Sequence, residues 1–331
     1  MKKLLLTGGL GYIGSYFYQT YSDKYKIKII DTNYYNAKQS NDNVLLKDIR
    51  HVSKEDLKGI DYVVHMAELS NDPLGDLNKK LTKDINNLAT TRLLKLSNNT
   101  NVKKFIYMSS ASVYGFSNKI MSEKDDTTPL TEYSISKVKN EEYILNSNFN
   151  FETIILRNST AFGFSKNLRL DLVVNDLTYE GYKNKKLILL SDGSPKRPLV
   201  HVHDICNFID FVIMDKRNLD KEIFNVGSKD LNYSIKEVAE KIANLLNITN
   251  ISFGNYDSDQ RSYSLNFEKI KKYFPNYKIQ YNLADGIKDL IQKFKNYQIT
   301  ENEKRVRVLN DLIKRRTLDD NLFWIDEKRK I

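Results

Sequence analysis

Short, nearly continuous apolar runs punctuate the first half of the chain. Each is followed by a longer stretch in which apolar residues recur three or four apart. Residues 3–6, 26–30, 61–65, 104–108 and 154–157 read as strands covered on both faces. Residues 12–21, 77–98 and 132–146 read as amphipathic helices. Such alternation predicts an α/β fold: a Rossmann-type doubly wound parallel sheet. Beyond about residue 164 the rhythm changes to a helix over 171–179, strands over 186–190 and 199–202, and helices over 204–214 and 234–246. Ser234 and Glu237 have the spacing of a capping box at the start of the last helix. From about residue 300 the chain is highly charged. Leu309, Leu312, Leu318 and Leu322 suggest a helical lid or packing segment, and Asp326 to Lys330 read as a solvated tail.

Composition narrows the function classes. The chain has 331 residues, 40% of them hydrophobic, enough for a sizeable core. No apolar run approaches the length of a membrane span, and the amino terminus runs straight into a strand pattern without a leader signature. The expectation is a soluble cytoplasmic protein that does not engage membranes. The formal charge is +10, but acidic residues are interleaved throughout, which suits a small anionic ligand better than nucleic acid. Cys206 is the single cysteine, and His51, His65, His201 and His203 have no metal-ligand spacing, so no metal is expected.

The sharpest local signal lies between the first strand and the first helix, in Thr7-Gly8-Gly9-Leu10-Gly11-Tyr12-Ile13-Gly14. Gly8 permits a tight turn, Gly11 lets backbone approach a pyrophosphate, and Gly14 lets helix and strand pack closely. The open N–H groups of the helix favour a diphosphate. Asp31 ends the second strand, where a carboxylate can accept from both adenosine ribose hydroxyls and repel a 2′-phosphate, favouring NAD over NADP. Asp48 and Ile49 fall in the loop expected at the adenine edge.

A second signal is Tyr133 and Lys137, four apart and hence on one helix face. A lysine ammonium there is expected to lower the tyrosine pKa toward neutrality, and to hold the nicotinamide ribose. Among 21 tyrosines the spacing alone is weak. Ser110 strengthens it, because a hydroxyl at the carboxyl end of a parallel strand points into the ligand crevice. Ser110, Tyr133 and Lys137 are therefore the expected catalytic set.

Taken together these motifs resemble the extended short-chain dehydrogenases/reductases, specifically the NAD-dependent nucleotide-sugar epimerase/dehydratase family. The resemblance spans roughly residues 2–295 and includes His65-Met66-Ala67, Asn86, Arg157 to Gly163, and Arg197-Pro198-Leu199-Val200-His201-Val202 before Asp204. It implies an NAD-binding domain over 1–164, with 199–229 returning to it. A smaller mixed α/β C-terminal substrate domain would comprise 165–198 and 230–331, including the charged end. It further implies that Met66, Ala67, Glu68 and Asn86 accompany the cofactor, with Asn158 and Thr160 near the nicotinamide. Ser70, Ser112, Arg197 and Arg261 would meet a nucleoside-diphosphate sugar, the two arginines clamping its diphosphate. Residues 77–98 and 132–146 would pair in a homodimer. Glu68 departs from the family pattern, which has a small residue there, as do Phe162 and Phe164.

The resemblance also bears on the reaction. Relatives that eliminate water carry an acid just after the Ser110 position, where this chain has Ala111 and Ser112. Cys206 has the setting of a packed residue rather than a base. The expected activity is therefore epimerisation by reversible hydride transfer at a sugar carbinol carbon, C4. The alternatives are a one-way C4-reductase or dehydrogenase in surface-polysaccharide or deoxysugar assembly, and a non-catalytic NAD-binding regulator.

Overall fold

Alternate residues of the central strands pack into opposite apolar layers. Leu4, Leu6, Val64, Ile106 and Leu156 meet one layer, which also holds Phe17, Ile205 and Phe208. Leu5, Val63, Phe105, Tyr107 and Ile155 meet the other, with Ala89, Leu93 and Ile144. A strand covered on both faces must be apolar at every position, which is why these runs are continuous.

The computed structural model describes residues 1–35, 43–254, 261–300 and 303–325. The first half runs β1 (Lys3–Thr7), α1 (Tyr12–Tyr21), β2 (Lys26–Asp31), β3 (Val44–Leu46), β4 (Tyr62–His65), α2 (Asp72–Gly75), α3 (Lys79–Thr82), α4 (Ala89–Ser97), β5 (Lys104–Ser110), β6 (Phe116–Met121), α5 (Glu132–Asn146), β7 (Glu152–Asn158) and β8 (Thr160–Phe162). There follow α6 (Val173–Asn184), β9 (Leu187–Leu189), β10 (Lys196–His201), α7 (Val202–Met214), β11 (Glu222–Val226), β12 (Asn232–Ser234), α8 (Ile235–Leu246), β13 (Ile251–Phe253), β14 (Ser262–Leu265), α9 (Glu268–Tyr273), α10 (Leu283–Phe294) and α11 (Arg305–Lys314).

The main sheet has seven strands in the order β11-β7-β5-β4-β1-β2-β3, all parallel. β1 pairs with β2 on one side and β4 on the other, so the winding direction reverses there and a crevice opens at the strands' carboxyl ends. A separate apolar cluster joins Leu177 of α6, Ile242 of α8 and Leu290 of α10 with Phe162, Leu187 and Leu199. This second layer lies along the continuation of the crevice.

Two expectations change. The helix expected over 77–98 starts only at Lys79, after an Asn78 side-chain cap, and widens into a π turn over Lys83–Leu88. Within that turn the polar Asn86 and Asn87 are buried and hydrogen-bonded toward α5. The C-terminal segment, assigned from sequence to the substrate-binding part, packs instead on the nucleotide-binding sheet. Leu309, Leu318 and Leu322 share a layer with Leu5 and Ile49, with Leu312 at its margin, and Trp324 Nε1 donates to Thr32 O at 2.9 Å. The apolar stripe of α11 finds its partners there. Residues 326–330, read as a solvated tail, lie outside the described residues.

Candidate active site

One cleft, of about 600 Å³, runs from the Gly8–Gly14 turn past Ser110 and Tyr133 to Arg197 and Arg261. Its floor is built by the first turn of the fold. Gly8 has φ +71°, and a Cβ there would lie 2.8 Å from Ala67 N, so the turn fits against the Met66-Ala67 backbone only without a side chain. A Cβ at Gly14 would lie 2.6 Å from Gly9 Cα, which fixes the close approach of α1 to the strand. Gly11 caps α1 with no side-chain acceptor and no acidic residue in the first turn. The N–H groups and positive end of α1 are thus left for an anion. Tyr12 and Ile13 line the same wall. These features fit the diphosphate of a dinucleotide.

At the adenosine end, Asp31 accepts from Leu10 N at 3.0 Å and Asn33 N at 2.8 Å, which fixes its carboxylate at the cleft wall. Burial pushes its pKa up. Asp48 and Ile49 also line the cleft. The Asp48 carboxylate, expected to meet adenine, is held by Arg50 at 2.9 and 2.8 Å and caps the short turn that follows. Asn86 does not reach the cleft. Its side chain accepts from Leu69 N at 2.8 Å and donates to Leu69 O at 3.2 Å, securing the loop that carries Glu68 and Ser70. Asn158 and Thr160 line the opposite end, and Asn158 Oδ1 is buried with no protein partner. An orphaned acceptor there suits a carboxamide N–H.

Ser110 ends β5, and Tyr133 and Lys137 lie on one face of α5, which starts from a Thr131 cap. Ser112 N and Oγ donate to Ser110 Oγ at 3.2 and 3.0 Å. Lys137 Nζ stands 5.4 Å from the Tyr133 ring centroid. It donates to Met108 O and is ion-paired with Glu68, both partners being almost wholly buried. Glu68 also accepts from Tyr107 OH at 2.9 Å, and Tyr107 OH accepts from Asn140 Nδ2 at 2.8 Å. Glu68, expected from the sequence to accompany the cofactor, lines the cleft, but its carboxylate is engaged with Lys137 and Tyr107.

This pairing corrects a second expectation. The Tyr133 phenol is held above its ordinary pKa, chiefly by burial and then by the charges of Glu68 and Asp72, with hydrogen bonding to Ser110 acting in the opposite sense. Lys137, ion-paired with Glu68, does not bring the buried phenol to neutrality. Burial drives Lys137 down and Glu68 up, each toward its neutral form.

Farther along, Arg197 Nη1 donates to Lys196 O at 2.8 Å and to the carbonyl of Arg261, while Arg261 is ion-paired with Asp72. Asp72 also accepts from Thr131 Oγ1, which ties this arginine to the start of the catalytic helix. Ser70 Oγ accepts from Arg169 at 3.1 Å. Cys206 is buried on α7 with its thiol pushed well up by burial, away from the cleft-lining set. Sequence reasoning missed Arg169, Asp171 and Arg305, which line the cleft. The alternation Leu168-Arg169-Leu170-Asp171-Leu172 was the available signal, since charges spaced between leucines point to a buried pair. Among the described residues no His/Cys/Asp/Glu cluster is suited to a metal ion, and no helix is long and apolar enough to cross a membrane.

Comparison with known proteins gives the same picture. A sequence model described as the NAD dependent epimerase/dehydratase family matches residues 4–227. A UDP-glucose 4-epimerase of Mycoplasma genitalium is 28% identical over 336 residues, covering 89% of this chain and 97% of that one. A dTDP-D-glucose 4,6-dehydratase of Dictyostelium discoideum is 26% identical, covering 74% and 62% respectively. The solved UDP-glucuronic acid 4-epimerase of Bacillus cereus, in complex with UDP-glucuronic acid and NAD, superposes with a TM-score of 0.77 at 23% identity over 88% of this chain and 99% of that one.

Proposed function

Since the chain belongs to the NAD dependent epimerase/dehydratase family, we propose that it is a nucleotide-sugar epimerase acting by reversible hydride transfer at C4. One observation carries the reading: Ser110 and Tyr133 line the same cleft as the Gly8–Gly14 turn and Arg197. A dinucleotide and a sugar diphosphate can therefore lie end to end with the reacting carbon beside the phenol. NAD, when bound, supplies the acceptor and later the donor of the hydride.

The protein's own contribution is proton transfer and positioning. Tyr133 Oη takes the proton of the C4 hydroxyl as hydride departs, and returns it when hydride is restored to the other face. Ser110 hydrogen-bonds the same sugar oxygen. Lys137 stabilises the phenolate, and Asn158 Oδ1 is free to accept from the carboxamide. Arg197 and Arg261 meet the sugar's diphosphate. Ala111 and Ser112, both buried, provide no acid for elimination, which favours epimerisation over dehydration. A homodimer formed through the faces carrying the exposed Leu88 and Leu145 completes the proposal.

The test is a panel of UDP-, GDP-, CDP- and dTDP-sugars, read by inversion at C4 in the wild-type chain and in Tyr133→Phe. Wild type should interconvert a C4 pair without net consumption of NAD. The variant should lose about 10²- to 10⁴-fold in turnover while retaining its cofactor. Net reduction or oxidation in wild type would identify a one-way enzyme. Unchanged turnover in Tyr133→Phe would refute the mechanism.

A further inference from the structure

Arg305 opens α11, in a part of the chain beyond the family match. It is 5% exposed, lines the cofactor end of the cleft, and its Nε has no hydrogen-bond partner. Its guanidinium lies over the Tyr35 ring at 4.3 Å, a contact that leaves in-plane N–H donors available. The neighbouring charges are Arg169, Asp171 and Asp31. Arg169 is already committed: Nε and Nη2 donate to Asp171 at 2.9 and 2.8 Å, and Nη1 to Ser70. Asp171 also accepts from Asn71 Nδ2 at 2.6 Å, and Asp31 from two backbone N–H groups.

Desolvating a cation without satisfying its donors is costly, and a native fold keeps such a group where a ligand completes it. The same cleft presents the uncapped N-terminus of α1, which favours an anion.

The segment that carries Arg305 is anchored at both ends. Leu170 N donates to Glu303 O at 2.9 Å just before it. Beyond it, Tyr34 OH donates to Leu322 O at 2.5 Å, Phe323 stacks on His51 at 5.0 Å, and Trp324 Nε1 donates to Thr32 O. Residues 303–325 thus form a strap across the end of β2, where Asp31 lies.

We propose that Arg305 is a ligand of the cofactor diphosphate, brought to the cleft by this strap, which also closes the adenosine end. The inference rests on the reading that the cleft holds NAD. A planar fork of donors suits paired phosphate oxygens, and a ligand held between α1 and the strap leaves only when the strap opens.

The test uses the full chain stripped of cofactor and calorimetric titration with NAD, ADP-ribose, adenosine and NADP, alongside the NAD content of the protein as purified. Arg305→Gln should weaken NAD and ADP-ribose by about ten- to a hundredfold while changing adenosine less than about twofold, and should lose copurifying NAD. Arg305→Lys, which keeps the charge and most of the stem, should show a smaller loss of the same kind, and remains informative if the glutamine variant folds poorly. Arg307→Gln, on the exposed side of the same helix, should bind like wild type. Unchanged ADP-ribose binding in Arg305→Gln would overturn the proposal. Equal losses for adenosine and ADP-ribose, which would mean strap packing alone, or a loss confined to NADP, which would place a 2′-phosphate at Arg305, would do the same. A wild-type chain that binds none of the four would overturn the cofactor reading itself, a result distinct from any variant-specific failure.

Discussion

Replacing Glu68 by glutamine removes one negative charge from beneath the catalytic pair but keeps an oxygen that can accept from Tyr107 and Lys137. The conservative change matters, because Glu68→Ala would leave the Lys137 ammonium buried without a partner, at a cost of about 3–5 kcal/mol. In the wild-type chain the Lys137 charge, 5.4 Å from the Tyr133 ring, is countered by a carboxylate in direct contact with it. With an effective dielectric constant of about 20, a unit charge at that distance is worth about 3 kcal/mol, or roughly two pH units in the phenol's pKa. Glu68 cancels part of this and adds its own repulsion of the phenolate. Its removal should therefore lower the Tyr133 pKa by roughly one to two units. The phenolate is the base, so the acid limb of kcat/KM for C4 inversion should move to lower pH by that amount. Below the wild-type limb the variant should be roughly ten- to a hundredfold faster. Burial then pulls Lys137 down with less carboxylate charge to hold it up, which sets the upper bound of the pH range where the gain persists. The measurement is kcat/KM from pH 5 to pH 10 for both proteins with one sugar nucleotide. A variant no faster than wild type through the acid side of that range would refute the electrostatic account.

Two other perturbations test the frame around the site. Arg157 and Glu141 form a buried pair at 2.6 Å, so Arg157→Ala should destabilise the chain by about 3–5 kcal/mol in urea unfolding, and a loss within error of zero would contradict it. His65 and His201 are buried and their pKa values are pushed down to about 3, far below a free imidazole, so the unfolded chain binds more protons between that value and about 6.5. Their contribution to stability is complete above that window and is lost as pH falls through it. The melting temperature should drop steeply from pH 6.5 to pH 4, and a flat profile would show that these rings are not held neutral.

The parts of the molecule that were legible in the sequence are those written in local patterns. Gly8, Gly11 and Gly14 announce their turn because each backbone demand is met by one residue type at one position. Leu4 to Leu6 and Phe105 to Tyr107 announce a covered sheet because both faces must be apolar. The Ser234–Glu237 capping box was visible for the same reason and is formed as expected. The unread features depend on partners distant in the chain. Leu309, Leu318 and Leu322 mark an apolar stripe, but nothing local says that it covers Ile49 rather than the second layer. The inward turn of Asn87 depends on Asn140, more than fifty residues away, and that of Asn86 on the Leu69 backbone.

The same distinction governs the chemistry. A tyrosine and a lysine four apart specify that two side chains share a face, and that much is visible in any helix. They do not specify the charge state of the pair, since an electrostatic field sums over every group that the fold brings near. Here burial, Glu68 from the loop after β4 and Asp72 from α2 together hold the Tyr133 phenol above its ordinary pKa, opposite to the effect that the motif alone predicts. Glu68 was recognisable beforehand only as a carboxylate where a small residue belongs. Its consequence followed once its partner was known to be the lysine itself. A change of one charge next to a catalytic group alters the protonation equilibrium without altering the motif. The motif therefore fixes the class of chemistry, while residues outside it set the pH at which that chemistry runs.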